Sequence, residues 1–182
     1  MNYLSITHND IANGLGIRSV IWIAGCTHEC PECHNPDSHC YFAGKPFDID
    51  DVLEQLAEEM EKPYTAGITL SGGDPLDRSD KELKILLEFI QKFKERYPEK
   101  NIWLYTGFEL RWTDEQRTDA FGQILKLCDV IVDGPYIKEK RSLQLAFRGS
   151  SNQHILEHDK KFGFLYNRAK EYDEGTVTKF DF

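Results

Sequence analysis

The sequence predicts an α/β fold with a mostly parallel sheet and outer helices, and three observations carry that prediction. Short runs rich in β-branched residues alternate with amphipathic helical stretches. The helical stretches open on capping residues, and the apolar runs end in turns that carry glycine or cysteine. Such alternation implies parallel pairing through crossovers, in an open sheet or a barrel. Chemistry then belongs at the C-terminal ends of the strands. With 182 residues and a hydrophobic fraction of 40%, the chain fits one domain with a real core.

Residues 3–7 alternate weakly and predict a first short strand. Asn13-Gly14-Leu15-Gly16 supplies a glycine turn into residues 17–23, whose apolar end Val20-Ile21-Trp22-Ile23 reads as a buried parallel strand. Residues 48–60 carry a helical stripe at Ile49, Val52, Leu53, Leu56, Ala57 and Met60, with Asp48 placed to cap it. Residues 67–71 form the next strand and run into Gly72-Gly73-Asp74-Pro75. A capping box at Ser79 and Glu82 opens a helix with Leu83, Leu86, Leu87, Ile90 and Phe93 on one face, closed by Pro98.

Residues 102–105 are a further strand, stopped by Thr106-Gly107. Thr113 with Gln116 resembles a second capping box, ahead of Phe121, Ile124, Leu125 and Leu127. Residues 129–133 give the last clear strand, ended by Gly134-Pro135. Beyond residue 140 the pattern weakens into Arg148-Gly149-Ser150-Ser151-Asn152-Gln153. A tail over 157–182 then mixes charges with Phe162, Phe164, Tyr166, Tyr172, Phe180 and Phe182.

The chemistry centres on Cys26-Thr27-His28-Glu29-Cys30-Pro31-Glu32-Cys33-His34-Asn35, three cysteines on a loop directly after a predicted strand. Three thiolates at this spacing suit a 4Fe-4S cluster and leave one iron without a protein ligand, where chemistry can happen. The same cysteines with Cys40 and His28, His34 or His39 would also complete a tetrahedral zinc site. Cys128 reads as a buried apolar thiol.

The net charge of -9 and the lack of a dense Lys/Arg stripe argue against a nucleic-acid partner. No run is long enough to cross a bilayer, and residues 1–5 do not read as a signal peptide. Five cysteines, an odd number with three clustered, fit a reducing cytoplasm rather than a disulfide framework. The cysteine loop, Gly72 to Asp74, Thr106-Gly107 and Asp133-Gly134 all follow predicted strands, so they are expected to share one rim.

Taken together, these blocks resemble the radical S-adenosylmethionine (SAM) superfamily, whose signature is the spacing of Cys26, Cys30 and Cys33. Within it they are similar to the glycyl-radical-enzyme activases that serve anaerobic ribonucleoside-triphosphate reductase. The likeness takes in residues 13–18, the cluster loop, Leu70-Ser71-Gly72-Gly73-Asp74-Pro75-Leu76, Trp103-Leu104-Tyr105-Thr106-Gly107, Val132-Asp133-Gly134 and residues 147–153. Three features depart from the family's usual form. Glu32 stands where an aromatic is common, Gly14-Leu15-Gly16 replaces Gly-Pro-Gly, and the tail beyond about 156 is longer than usual.

The resemblance implies a partial (β/α) barrel in a single domain, with a core over 1–156 and a C-terminal extension over 157–182. It implies a 4Fe-4S cluster on Cys26, Cys30 and Cys33 and SAM as the second cofactor. SAM would be met by Glu32, Cys33 and His34 at the adenine and by Gly72, Gly73 and Asp74 at the methionine. Thr106, Gly107 and Asp133 are the further rim residues. Reductive cleavage of SAM would yield a 5′-deoxyadenosyl radical that generates a glycyl radical on the reductase. The implied partners are that glycyl-radical subunit and an electron donor such as flavodoxin, in the cytoplasm. Two alternatives stand beside this reading, a radical SAM enzyme acting on a small molecule, of the 7-deazaguanine-forming type, and a zinc-stabilised binding module.

Overall fold

The computed structural model of the chain describes residues 1–111, 113–159 and 164–176; Phe162, Phe180 and Phe182 of the tail lie outside them. Among the described residues, eight strands and four helices follow one another as β1 (Asn2–Asp10), β2 (Ile17–Ala24), β3 (Lys45–Pro46), α1 (Ile49–Met60), β4 (Thr65–Gly72), α2 (Asp80–Arg96), β5 (Asn101–Tyr105), α3 (Ala120–Leu127), β6 (Val130–Asp133), β7 (His154–Asp159), β8 (Phe164–Asn167) and α4 (Ala169–Asp173). The strands form one sheet in the order β3-β1-β2-β4-β5-β6-β7-β8.

Only the centre of that sheet is parallel. β2, β4, β5 and β6 pair in parallel, whereas β1 runs antiparallel to both β2 and β3, and β7 antiparallel to both β6 and β8. The expectation of a mostly parallel sheet is therefore corrected. The reason is connection length. Residues 11–16 are too few for a crossover, which needs a dozen or more, so the chain turns back beside itself. The long link from β6 to β7 holds no α-helix, and it too returns antiparallel.

Helix starts are set locally. Asp48 accepts a hydrogen bond from the Asp51 amide, and Ser79 with Glu82 completes the capping box of α2. The third cap differs from the sequence expectation. Thr113 makes no side-chain cap and precedes only a 3-10 turn over Asp114–Gln116, while Asp119 accepts from the Gly122 amide and starts α3. Arg117 between them is extended, so the two segments cannot be one helix.

Alternation along the parallel strands gives the sheet two unlike faces. Ile21, Ile23, Ile68, Leu70, Ile102, Leu104 and Ile131 share one core with the apolar stripes of α1, α2 and α3, and Cys128 is buried there as expected. The alternate positions Trp103, Val130 and Val132 face the other way and form a second cluster with Ile155, Ala169 and Tyr172. Helix α4 therefore covers the face that α1 to α3 leave bare. Among the described residues no helix is long and apolar enough to cross a membrane.

Candidate functional site

The cysteine loop leaves β2 at Gly25 and is closed by its own return limb. The Gly25 amide donates to the Ser38 carbonyl (2.6 Å), the Cys26 amide to His39 (3.2 Å) and the Cys33 amide to Cys30 (3.1 Å). Glu29 and Glu32, each just before a cysteine, take left-handed backbone with φ of 46° and 57°. Cys26, Cys30 and Cys33 are free thiols of intermediate exposure, and all three line one cavity of about 380 Å3. The Asn35 amide points at Cys33 Sγ (3.4 Å). Burial pushes the Cys26 thiol up to about 11, with the charges of Asp74 and Asp77 adding to it, so a thiolate there calls for a bound cation.

The end of β4 packs directly under this loop. Gly72 has a φ of 104°, and the Gly73 and Asp74 amides donate to Ile23 (2.7 Å) and Gly25 (2.9 Å). A Cβ on Gly73 would stand 2.2 Å from the Gly25 carbonyl oxygen. Because that neighbour is backbone, Gly73→Ala is expected to displace the cluster loop, at a cost of about 1–3 kcal/mol in a urea titration. Retained stability together with retained cofactor binding would show that the contact yields.

Asp74 is the hub of the rim. Its Oδ1 accepts from the Leu76 amide (2.8 Å); its Oδ2 accepts from Thr106 Oγ1 (2.9 Å) and the Gly107 amide (2.9 Å) and meets His28 Nε2 (2.7 Å). The carboxylate is 1% exposed, so it fastens the ends of β2, β4 and β5 together. The hydrogen bond to Asp74 raises the His28 pKa against the opposing effect of burial. The His28 ring also stands edge-on to Phe108, with centroids 4.8 Å apart.

Outside the rim, Asp77 binds the loop's first turn. It accepts from the Thr27 amide (2.6 Å), Thr27 Oγ1 (2.8 Å) and the Tyr41 hydroxyl (2.8 Å). Burial alone would lift this carboxyl, yet the bonds from Tyr41 and Thr27 hold it below its ordinary value. A depressed folded pKa stabilises the protein above the unfolded carboxyl pKa, and the gain is lost as pH falls through the folded value. Asp77→Asn should therefore flatten the acid side of the stability–pH curve, as read by urea midpoints; an unchanged curve would remove Asp77 from that role.

Of the expected site residues, Cys26, Cys30, Cys33, His34, Gly72, Gly73, Asp74, Thr106 and Gly107 line the cavity. Glu32 and Asp133 do not. Glu32 is exposed and pairs with Lys138. Asp133 is buried behind the rim, accepting from the Leu110 amide (2.8 Å) and pairing with His154 Nδ1 (2.8 Å), while its neighbour Gly134 takes the lining position.

Among the described residues no three His, Cys, Asp or Glu side chains converge as ligands of one metal ion. Three free thiols line this cavity beside Gly72, Gly73 and Gly107, a donor set that suits a 4Fe-4S cluster with one iron left open. A family profile described as "4Fe-4S single cluster domain" matches residues 12–156. The chain is 40% identical over 158 residues to the anaerobic ribonucleoside-triphosphate reductase-activating protein of Haemophilus influenzae, covering 85% of this chain and 97% of that protein. It is 38% identical over 156 residues to the protein of the same name from Enterobacteria phage T4, covering 85% and 93%. The Escherichia coli K12 protein of that name is 35% identical over 161 residues, covering 87% and 99%.

The chain belongs to the anaerobic ribonucleoside-triphosphate reductase-activating protein family. All of this family member's cavity lining lies within the matched region, including wall residues that the sequence singled out for no role: Asn13, Tyr105, Tyr136 and Phe147. Several sit in blocks that carried the resemblance, but only their shared cavity says what they have in common. Cys40 is exposed and outside the lining. The family profile stops at residue 156, so β8 and α4 lie beyond it.

Proposed function

We propose that this chain activates anaerobic ribonucleoside-triphosphate reductase as a radical SAM enzyme built on a partial (β/α) barrel. Cys26, Cys30 and Cys33 would hold a 4Fe-4S cluster, whose chemistry when bound is to supply the electron that splits SAM into methionine and a 5′-deoxyadenosyl radical, able to take the α-hydrogen of a reductase glycine. The observation that carries the reading is the junction of three free cysteines with the Gly72-Gly73-Asp74 rim on one cavity, at the C-terminal ends of parallel strands.

The residues have separable tasks. Gly72 and Gly73 let the methionine part of SAM approach the backbone, and Asp74 puts negative charge where its ammonium would sit. The backbone at Cys33 and His34 meets the adenine, with Glu32 outside the lining, and Thr106 and Gly107 border the ribose. Asp133 acts one step behind, by fixing His154 and the Leu110 amide. No side chain is required to move a proton, because the work is electron transfer and bond homolysis. The reductase glycine enters from the cavity mouth, and the electron comes from a low-potential cytoplasmic donor such as flavodoxin.

The test is an anaerobic assay of cluster-reconstituted protein with dithionite and SAM, following 5′-deoxyadenosine. The reductase is then added and the sample read by electron paramagnetic resonance. Release of 5′-deoxyadenosine with a glycyl-radical doublet that grows only with the reductase is expected. Cleavage without a doublet would move the substrate elsewhere, and no cleavage at all would overturn the radical SAM reading.

A further inference from the structure

The cavity wall after β6 is made by a loop with little secondary structure of its own. Leu145, Phe147, Arg148 and Gly149 border the cavity there. Phe147 holds φ at +52°, left-handed backbone that a bulky side chain rarely adopts. Such a conformation persists only where the surroundings over-determine it.

On one side the wall is tied to the edge of the sheet by ordinary means. The Tyr105 hydroxyl donates to the Phe147 carbonyl (2.7 Å), and Gln153 Oε1 accepts from the Gly149 amide (2.9 Å) while its Nε2 donates to Gly134 (2.9 Å). On the other side it is tied to the C-terminal segment. Asp173 accepts from the Ala146 amide (2.9 Å) and takes Arg148 in a two-pronged pair, Nη1 at 2.9 Å and Nη2 at 2.7 Å. The Arg148 side chain is 5% exposed, so its charge is answered inside the protein. Tyr172 stands edge-on to both Phe147 (5.9 Å) and Trp103 (5.8 Å). Three successive loop residues, 146–148, of which Phe147 and Arg148 line the cavity, are thus held by two residues that lie beyond the family profile.

We propose that the segment 167–176 is a brace for the cavity wall, with Asp173 and Tyr172 as positioning residues for the ligand that fills the cavity. Holding 146–148 in place removes the ordering cost that a ligand would otherwise meet on binding. The ligand arm of the inference rests on the reading of the cavity as the SAM site; the brace itself does not.

Two measurements on the full-length protein test it. Amide hydrogen exchange by mass spectrometry, on protein without cluster or SAM, compares wild type with Asp173→Asn and Tyr172→Leu. Exchange over 145–150 should quicken about tenfold while β4 and β5 stay as protected as before. In the reconstituted protein, the SAM concentration for half-maximal 5′-deoxyadenosine release should rise about tenfold, with the rate at saturation held within about twofold. Asp173→Glu, which keeps the charge, should restore most of the SAM affinity.

Wild-type exchange over 145–150 in both variants would overturn the brace. A loosened wall with unchanged SAM dependence would overturn the positioning role. If wild type itself releases no 5′-deoxyadenosine, the radical SAM reading fails, and the exchange result alone judges the brace.

Discussion

Cys30→Ala should abolish reductive SAM cleavage, lowering 5′-deoxyadenosine release at least about a thousand-fold, and the same holds for Cys26→Ala and Cys33→Ala. The expectation rests on the donor set. All three thiols are free and line one cavity, and Cys128 and Cys40, the remaining two, do not. Losing one of three thiolates leaves a second iron without a protein ligand, so the cluster itself should be lost or degraded. Iron content and visible absorption of the reconstituted variant should fall together with activity. Cys128→Ala is the matched control. The residue is 1% exposed in the core under the helices, so the substitution should cost about 1 kcal/mol of stability and leave SAM cleavage intact. Full activity in Cys30→Ala would sink the assignment of the cluster to these residues.

Arg18→Ala should be the most destabilising single change in the sheet, at about 3–5 kcal/mol. Arg18 is fully buried, and every strong bond it makes is to a neutral acceptor. Its Nε donates to Thr69 Oγ1 (2.7 Å), Nη1 to the Leu15 carbonyl (2.7 Å), and Nη2 to the Ile68 carbonyl (2.7 Å) and Asn101 Oδ1 (2.8 Å). The guanidinium also lies 5.3 Å from the Trp103 ring centroid. Burial lowers its pKa to about 10, which still leaves it charged at neutral pH. Thr69 passes the network on by donating to the Asn13 carbonyl (2.7 Å), and Asn13 lines the cavity. Alanine would strand these acceptors around a void the size of a guanidinium. Arg18→Lys supplies a charge without the planar fork and should recover only part of the loss. Urea unfolding of the three proteins without cluster gives the comparison; an alanine cost under about 1 kcal/mol would mean that water takes over the network.

Local features of the fold were legible in the residues. Asp48 and the Ser79–Glu82 box cap helices through bonds that span three residues, and the apolar stripes over 49–60 and 83–93 repeat within a helix turn. The turns at Gly72-Gly73 and Thr106-Gly107 close strands whose alternation is visible by eye. Even locally there was competition: Thr113 with Gln116 has the residue types of a capping box, but Asp119 sits one helical turn from Gly122 with nothing extended between them. The direction of β1 was not legible from alternation, because a strand's period of two is the same whichever way its neighbour runs, and β7 lies where the pattern had already weakened.

The sequence by itself determined β1, β2, α1, β4, α2, β5, α3 and β6, their order and the presence of three cysteines beside a glycine rim, because caps, periodicity and turns are short-range physics; β3, β7, β8 and α4 emerged only in the tertiary structure. The tertiary structure alone decided that Asp74 meets His28 and Thr106, that Arg18 reaches Asn101, and that Arg148 reaches Asp173. Those bonds join residues 32, 46, 83 and 25 positions apart. Which carboxylate or carbonyl lies within reach of a side chain at that separation depends on strand order and register, and neither is written in any one stretch of the chain.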